Sequence, residues 1–301
     1  MSRPDFPKSV VEFQQWFPNE EACVKYLYES RWPNGFVCPI CSDTEAYYIK
    51  TRRVFQCKAN MHQTYLTADT IMQGTRIPLL AWFWAAYLVT TVTPSISATQ
   101  LERQLGITYE TAFNMLHKLR AAMFNPERTK IKGKIEVDET YIGGPTTGGK
   151  RGRGTEKAIV VVAVEKRNNH AGRVRLRHIE DVSGSTLIVF IKDSVEKNSI
   201  IMTDDFPAYN IVERQGYIHR VKEDLPLAHL VISNLKTWIK GTFHGVSEKH
   251  LQAYLNEFTF RFNRRGTPMA AFQTVLGLGS KVDWPTYEEL YSGEWEHPNI
   301  P

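Results

Sequence analysis

The chain has 301 residues, 42% of them apolar and 23% charged, which excludes intrinsic disorder and leaves room for two or three domains. The longest apolar run, Leu79 to Val89, is far short of the roughly 20 residues of a membrane span, and the opening MSRPDFPKSV lacks the apolar centre of a signal peptide, so a cytoplasmic protein is expected. Four cysteines do not make a disulfide framework, and a net charge of +5 permits an anionic partner without demanding one.

The first patterned segment runs from Phe36 to Leu66. It opens with CPIC, passes through the β-prone Tyr47, Tyr48 and Ile49, and returns at VFQCKANMHQTY. Two knuckles joined by short strands predict a zinc ribbon, because zinc takes four N or S ligands and a CxxC turn supplies two thiolates. Cys38, Cys41 and Cys57 are the candidate ligands. The second knuckle is irregular: Asn60 stands where a fourth cysteine is expected, and the nearest alternative ligand is His62. The competing reading is a ribbon that keeps buried thiols without metal.

From Pro78 the pattern becomes helical, first LLAWFWAAYLV and then SATQLERQLGITYETAFNMLHKLRAAM. Gly106 falls where a short turn is needed and Thr108 can cap the helix that follows, which predicts a helix-turn-helix. The second helix is expected to show Tyr109, Thr111, Asn114, His117, Lys118 and Arg120 on its polar side. Such a helix can enter a major groove while Lys118 and Arg120 touch phosphates. An ordinary helical hairpin is the alternative.

Next comes KIEVDETYIGG, a strand ending near Thr140, and the glycine-rich PTTGGKRGRGTEK, whose Lys150, Arg151 and Arg153 suit contact with a phosphate backbone. An apolar strand from Ala158 to Val164 follows. The next strand alternates Val174, Leu176 and His178 with Arg173, Arg175 and Arg177. SGSTLIVFIKDSVEK reads as a helix, SIIMTDD as a short strand ending at Asp204, Tyr217 to Val221 as a further strand, and a helix begins near Pro226.

Asp138 and Asp204 each close a strand, 66 positions apart. Carboxylates at the ends of adjacent strands can share divalent cations; oxygen ligands favour magnesium or manganese, and a pair of such ions suits in-line phosphoryl displacement. On the first and fourth strands of a strand, strand, strand, helix, strand order, the pair points to the ribonuclease H topology and an α/β fold class.

The chain resembles bacterial insertion-sequence transposases of the DDE type, which carry a zinc ribbon before a ribonuclease H-like (integrase-like) catalytic domain. The resemblance lies in RWPNGFVCPIC, LTADTIMQGTRIPLLAWFWAAY, VDETYIGG, TDDFPAY, HGVSEKHLQAYLNEF and FRFNRR. It implies binding to the terminal inverted repeats of an element, metal-dependent cleavage of double-stranded DNA and strand transfer into target DNA. It also implies a homo-oligomer in the active complex and a bacterial, nucleoid-associated location. Transposases of this type use a third metal-site residue on a helix after the second aspartate, with a lysine seven positions later. Helical phase places His229 and Lys236 together on a polar face opposite Leu230, Val231, Ile232, Leu235, Trp238 and Ile239, with Asn234 at the margin. His229 fits the phase, and Asn234 is the residue type the resemblance offers.

In SEKHLQAYLNEFTFRFNRR, Ser247 can cap a helix with an apolar stripe through Leu251, Tyr254, Leu255, Phe258 and Phe262. Glu257, Arg261 and Arg264 share another stripe, as catalytic or DNA-contacting groups or as a plain ion pair. The expected organisation is an N-terminal helical segment at 1–33, the ribbon at 34–68, the helix-turn-helix at 76–125, the catalytic domain at 131–268 and a tail at 269–301. A transposase-derived DNA-binding protein that has lost catalysis is the alternative function, raised by the absent third carboxylate.

Overall fold

The computed structural model describes residues 7–124, 128–143, 157–267 and 271–276. They form two compact units, one reaching Ala122 and joined by a return segment after Thr267, the other spanning Met123–Gly266. The basic loop with Lys150, Arg151 and Arg153 lies outside the described residues, as does most of the tail. No helix among the described residues is long and apolar enough to cross a membrane.

In the first unit, α1 (Val10–Trp16) and α2 (Glu20–Arg31) begin at Ser9 and Asn19, whose side chains accept from the amides of Glu12 and Ala22, the preferred helix start. The ribbon is an antiparallel meander of β1 (Ala46–Ile49), β2 (Val54–Cys57) and β3 (Gln63–Tyr65). Its inner face is aromatic: Phe55 packs on Tyr28, Trp32, Phe36 and Tyr48, with ring centroids 4.7–5.7 Å apart. Helix α3 (Leu79–Thr91) is apolar on every side and mostly buried. Its N-cap, Pro78, offers no side-chain cap, and the carboxylate of Glu20 takes the amides of Leu79 and Leu80 at 2.8 and 2.9 Å.

Helices α4 (Ala98–Leu105) and α5 (Tyr109–Ala122) follow. Gly106 sits between them at φ 64°, a left-handed conformation that suits glycine. The Thr108 hydroxyl accepts from the Thr111 amide at 3.3 Å. The helix, turn, helix outline is therefore present, but two residues of the polar side expected of α5 are not on it: His117 and Arg120 are buried, Arg120 at 2% exposure, while Tyr109 is exposed and Thr111, Asn114 and Lys118 are half-buried. His117 and Arg120 stand in line with buried Ala112, Met115, Leu116 and Leu119, and the His117 ring lies 4.3 Å from that of Phe113. Residue type misled the phase.

The second unit is a five-stranded sheet with helices on both faces. Its strands are β4 (Lys134–Ile142), β5 (Ala158–Arg167), β6 (His170–Ile179), β7 (Ile200–Thr203) and β8 (Ile218–Val221), in the order β6-β5-β4-β7-β8. The first three are antiparallel neighbours; after α6 (Gly184–Ser194) the chain returns on the other side of β4, and β7 and β8 run parallel to β4. This is the ribonuclease H-like topology expected from the sequence. Strand alternation sorts the core: Val160, Val162, Val164, Val174 and Leu176 face α7 (Pro226–Phe243) and α8 (Glu248–Asn263), while Ile135, Val137, Val161 and Ala163 face α6. Both faces of β5 are covered, which is why it reads as an unbroken apolar run.

Arg175 and Arg177 are buried on the α6 side of β6, Arg177 reaching Asp193 at 3.0 Å. Helix α8 covers the sheet edge. Gln252 accepts from the His178 amide and Asn263 from the Val174 amide, at 2.9 and 2.8 Å, so side-chain amides satisfy the outer edge of β6.

Candidate catalytic and metal sites

Parallel pairing of β4 with β7 runs through Lys134↔Ile200, Ile135↔Ile201 and Glu136↔Met202 and then stops. Two residues on, Asp138 and Asp204 therefore stand side by side on one face, where the two strands part. Asp204 lies just past the carboxyl end of β7, as expected, whereas Asp138 does not close its strand but sits midway along β4, which stays paired with β5 as far as Ile142. The crevice between the parting strands is where open α/β sheets place ligands. Asp138 Oδ1 accepts from the Glu139 amide at 2.8 Å, and Asp204 Oδ1 from the Phe206 amide at 3.2 Å. Thr203 Oγ1 lies 2.8 Å from His219 Nε2 and donates to the Asp204 carbonyl at 2.7 Å, fixing the end of β7.

His229, on the first turn of α7, faces this pair. Its Nε2 is 3.5 Å from Asp138 Oδ2, and its Nδ1 is 3.2 Å from Asp224 Oδ1. Burial pushes the Asp138 carboxyl up to about 6, with the Glu139 and Asp204 carboxylates adding to the effect and the Glu139 amide and His229 opposing it. Tyr209 donates to Glu139 Oε2 at 2.9 Å, and its hydroxyl is held well above its ordinary value by burial and by the same three carboxylates. A crowded, partly buried set of carboxylates is the electrostatic state that a divalent cation relieves. By the chemistry of its donors, two carboxylates and an imidazole, the set of Asp138, Asp204 and His229 suits magnesium or manganese, although among the described residues its ligand atoms are not drawn together within 4.8 Å as the three cysteine sulfurs are.

The structure separates the other expected site residues. Lys236 is exposed, seven residues along the same helix as His229, as the phase required; Asn234 is exposed too, and Leu230, expected on the apolar side, is 50% exposed. Glu257 is not brought to the carboxylates. It is buried at 1% exposure on α8, which packs on β6, two strands from β4. Arg261 and Arg264 are pushed down by burial, and the Arg264 guanidinium stacks 3.9 Å over the Phe260 ring. Lys118 is partly buried, and that burial lowers its ammonium.

Sequence reasoning missed Glu136 and Asp224. Glu136 hides in an apolar strand, where its alternation with Asp138 was the available signal; Asp224 precedes the helix in an undistinguished polar run.

In the ribbon, the sulfurs of Cys38, Cys41 and Cys57 lie within 4.8 Å of one another, Cys41 and Cys57 at 3.6 Å. Thiolates at about 2.3 Å from a tetrahedral zinc would stand about 3.8 Å apart, so the three fit zinc. The expected fourth ligand does not join them. His62 is outside the cluster, its amide donating to Asn60 Oδ1 at 3.0 Å, and the Asn60 side chain itself stands beside Cys38, with Oδ1 3.8 Å from Sγ. The tight turn from Cys57 carries Asn60 inward and leaves His62 at the start of β3.

Residues 130–263 match the ISXO2-like transposase domain, and residues 18–63 match the transposase zinc-ribbon domain. The chain belongs to the insertion-sequence transposases. An uncharacterised protein in transposable element ISH50 of Halobacterium salinarum is 24% identical, the match covering 86% of this transposase and 97% of that protein. A transposase-like protein of Haemophilus influenzae is 27% identical over a match covering 28% of this chain and 76% of its own. Among solved structures, the catalytic core domain of BIV integrase (18% identity, TM-score 0.25) matches 54% of this transposase and 95% of its own chain. The Mos1 transposase paired-end complex with left transposon end (12%, 0.28) matches 67% and 80%.

Proposed function

We propose that this transposase binds the ends of its insertion sequence as an oligomer and cuts and rejoins DNA strands at a divalent-metal site formed by Asp138, Asp204 and His229. The observation that carries this is the meeting of three elements: two carboxylates on adjacent parallel strands, and an imidazole nitrogen 3.5 Å from one of them. Magnesium or manganese held there supplies Lewis-acid stabilisation of the charge that develops on a phosphodiester. The chain's own groups do the positioning. Asp138 and Asp204 define where the scissile phosphate lies, Asp224 orients the His229 ring, and exposed Lys236 meets the DNA backbone on the same helix. Lys150, Arg151 and Arg153 add phosphate contacts, while zinc held by Cys38, Cys41 and Cys57 folds the ribbon.

The neutral imidazole in place of a third carboxylate favours one other function, a DNA-binding protein without catalysis. A single assay separates them. The chain is incubated with magnesium or manganese and a supercoiled plasmid carrying its own gene with the genomic flanks. Nicking is expected from the wild type and not from Asp138→Ala, with His229→Ala lowering the rate and Asn234→Ala leaving it near wild type. Binding without nicking in either metal would leave only the non-catalytic function. Loss of nicking in Asn234→Ala but not in His229→Ala would move the third position to Asn234.

A further inference from the structure

Helix α7 starts without a cap of its own. Pro226 is its first residue and brings no amide proton, and Leu225 at the N-cap has no side chain able to accept. The first free amides, those of Leu227 and Ala228, both donate to one oxygen, Oε2 of Glu136 on β4, at 2.8 and 3.0 Å. Glu136 is 2% exposed, and its other oxygen lies 3.7 Å from Lys166 Nζ. A buried carboxylate with two backbone donors at the positive end of a helix is held hard on both sides. Glu136 and Asp138 are two apart on the same face of β4, while Ala228 and His229 are consecutive on α7. The clamp between strand and helix therefore sits next to the 3.5 Å approach of His229 to Asp138.

We infer that Glu136 is a positioning residue for the catalytic site: by capping α7 from β4 it sets where His229 stands relative to Asp138 and Asp204. It touches neither substrate nor metal. This rests on His229 being the third site residue. Displacing a site group by about 1 Å costs up to about 100-fold in rate, so Glu136→Ala and the shorter Glu136→Asp should lower the nicking rate about 10- to 100-fold. Affinity for the same plasmid DNA should stay unchanged. Glu136→Gln, which keeps an oxygen for both amides, should recover most of the rate.

The decisive measurement is a double-mutant cycle on the full chain with that plasmid and manganese. If Glu136 acts through His229, adding Glu136→Asp to His229→Ala lowers the rate no further. A second readout needs no turnover: manganese should broaden the His229 imidazole proton signals in wild type and Glu136→Gln, and broaden them less in Glu136→Asp. Losses that multiply, or equal broadening in all three, would overturn the positioning role and leave the His229 site standing. Wild-type nicking by His229→Ala, or no broadening of His229 in the wild type, would remove that site and the inference with it. If Glu136→Ala does not fold, the Asp and Gln variants decide.

Discussion

Asp138→Asn should make the metal-free protein more stable at neutral and alkaline pH. The Asp138 side chain is 17% exposed. Burial, then the carboxylates of Glu139 and Asp204, raise its carboxyl from an ordinary 3.8 to about 6. An acid that binds its proton more tightly in the folded state weakens the fold wherever it is ionised there. The penalty is therefore full above about pH 6, fades as pH falls through that value, and is gone below the unfolded value near 3.8. At 1.36 kcal/mol per tenfold change in proton affinity the gap amounts to about 3 kcal/mol, and partial solvent access lowers this to about 1–3 kcal/mol. Asparagine keeps the shape and removes the charge. In chelator at pH 8 its melting temperature should rise by about 2–4 °C for each kcal/mol, with the advantage gone at pH 4. Magnesium should narrow the difference at pH 8, because a cation relieves the wild-type carboxylate and not the amide. An asparagine variant that melts at or below the wild type at pH 8 would refute the electrostatic account.

Two further outcomes follow from the metal and DNA surfaces. Zinc measured on purified protein should be lost in Cys57→Ser and retained in His62→Ala, since three sulfurs cluster and the imidazole does not join them; zinc loss in His62→Ala would restore it as a ligand. Replacing Lys150, Arg151 and Arg153 by glutamine should weaken binding to all DNA sequences alike and reduce the salt slope by about 1 for each phosphate contact removed, with an unchanged slope counting against the loop.

The catalytic fold was legible because its strands alternate or run apolar over short, punctuated stretches. The nine residues of β4 and the ten of β5 were each predicted within a few positions, and the strand order followed from their sequence. Helix surfaces were less legible. In α5 a run of polar side chains predicts a solvent face, whereas the structure buries His117 and Arg120. Residue type signals exposure only where polar groups lack partners inside, and a large cation can be buried once its surroundings satisfy it. The Glu257 stripe shows a related limit. Spacing on one helix shows which residues share a face but not which strand that face meets, and α8 meets β6.

Helical phase favours His229 over Asn234 for the proposed third position, and the structure sets His229 against Asp138. Asp138 already feels Glu139 and Asp204, and Asp224 stands on the far side of the His229 ring. A third carboxylate at 229 would add charge next to a group that burial and two neighbours have already pushed up, and would face Asp224 with no proton to share. An imidazole instead stands between two carboxylates, with Nδ1 3.2 Å from Asp224 Oδ1 and Nε2 3.5 Å from Asp138 Oδ2. If His229 is the third residue, as proposed, that position is coupled to its surroundings: Asp224 stands against the ring, and Glu136 caps the helix that carries it. Exchanging His229 for glutamate without also neutralising Asp224 would place like charges where the structure now sets an imidazole between two carboxylates.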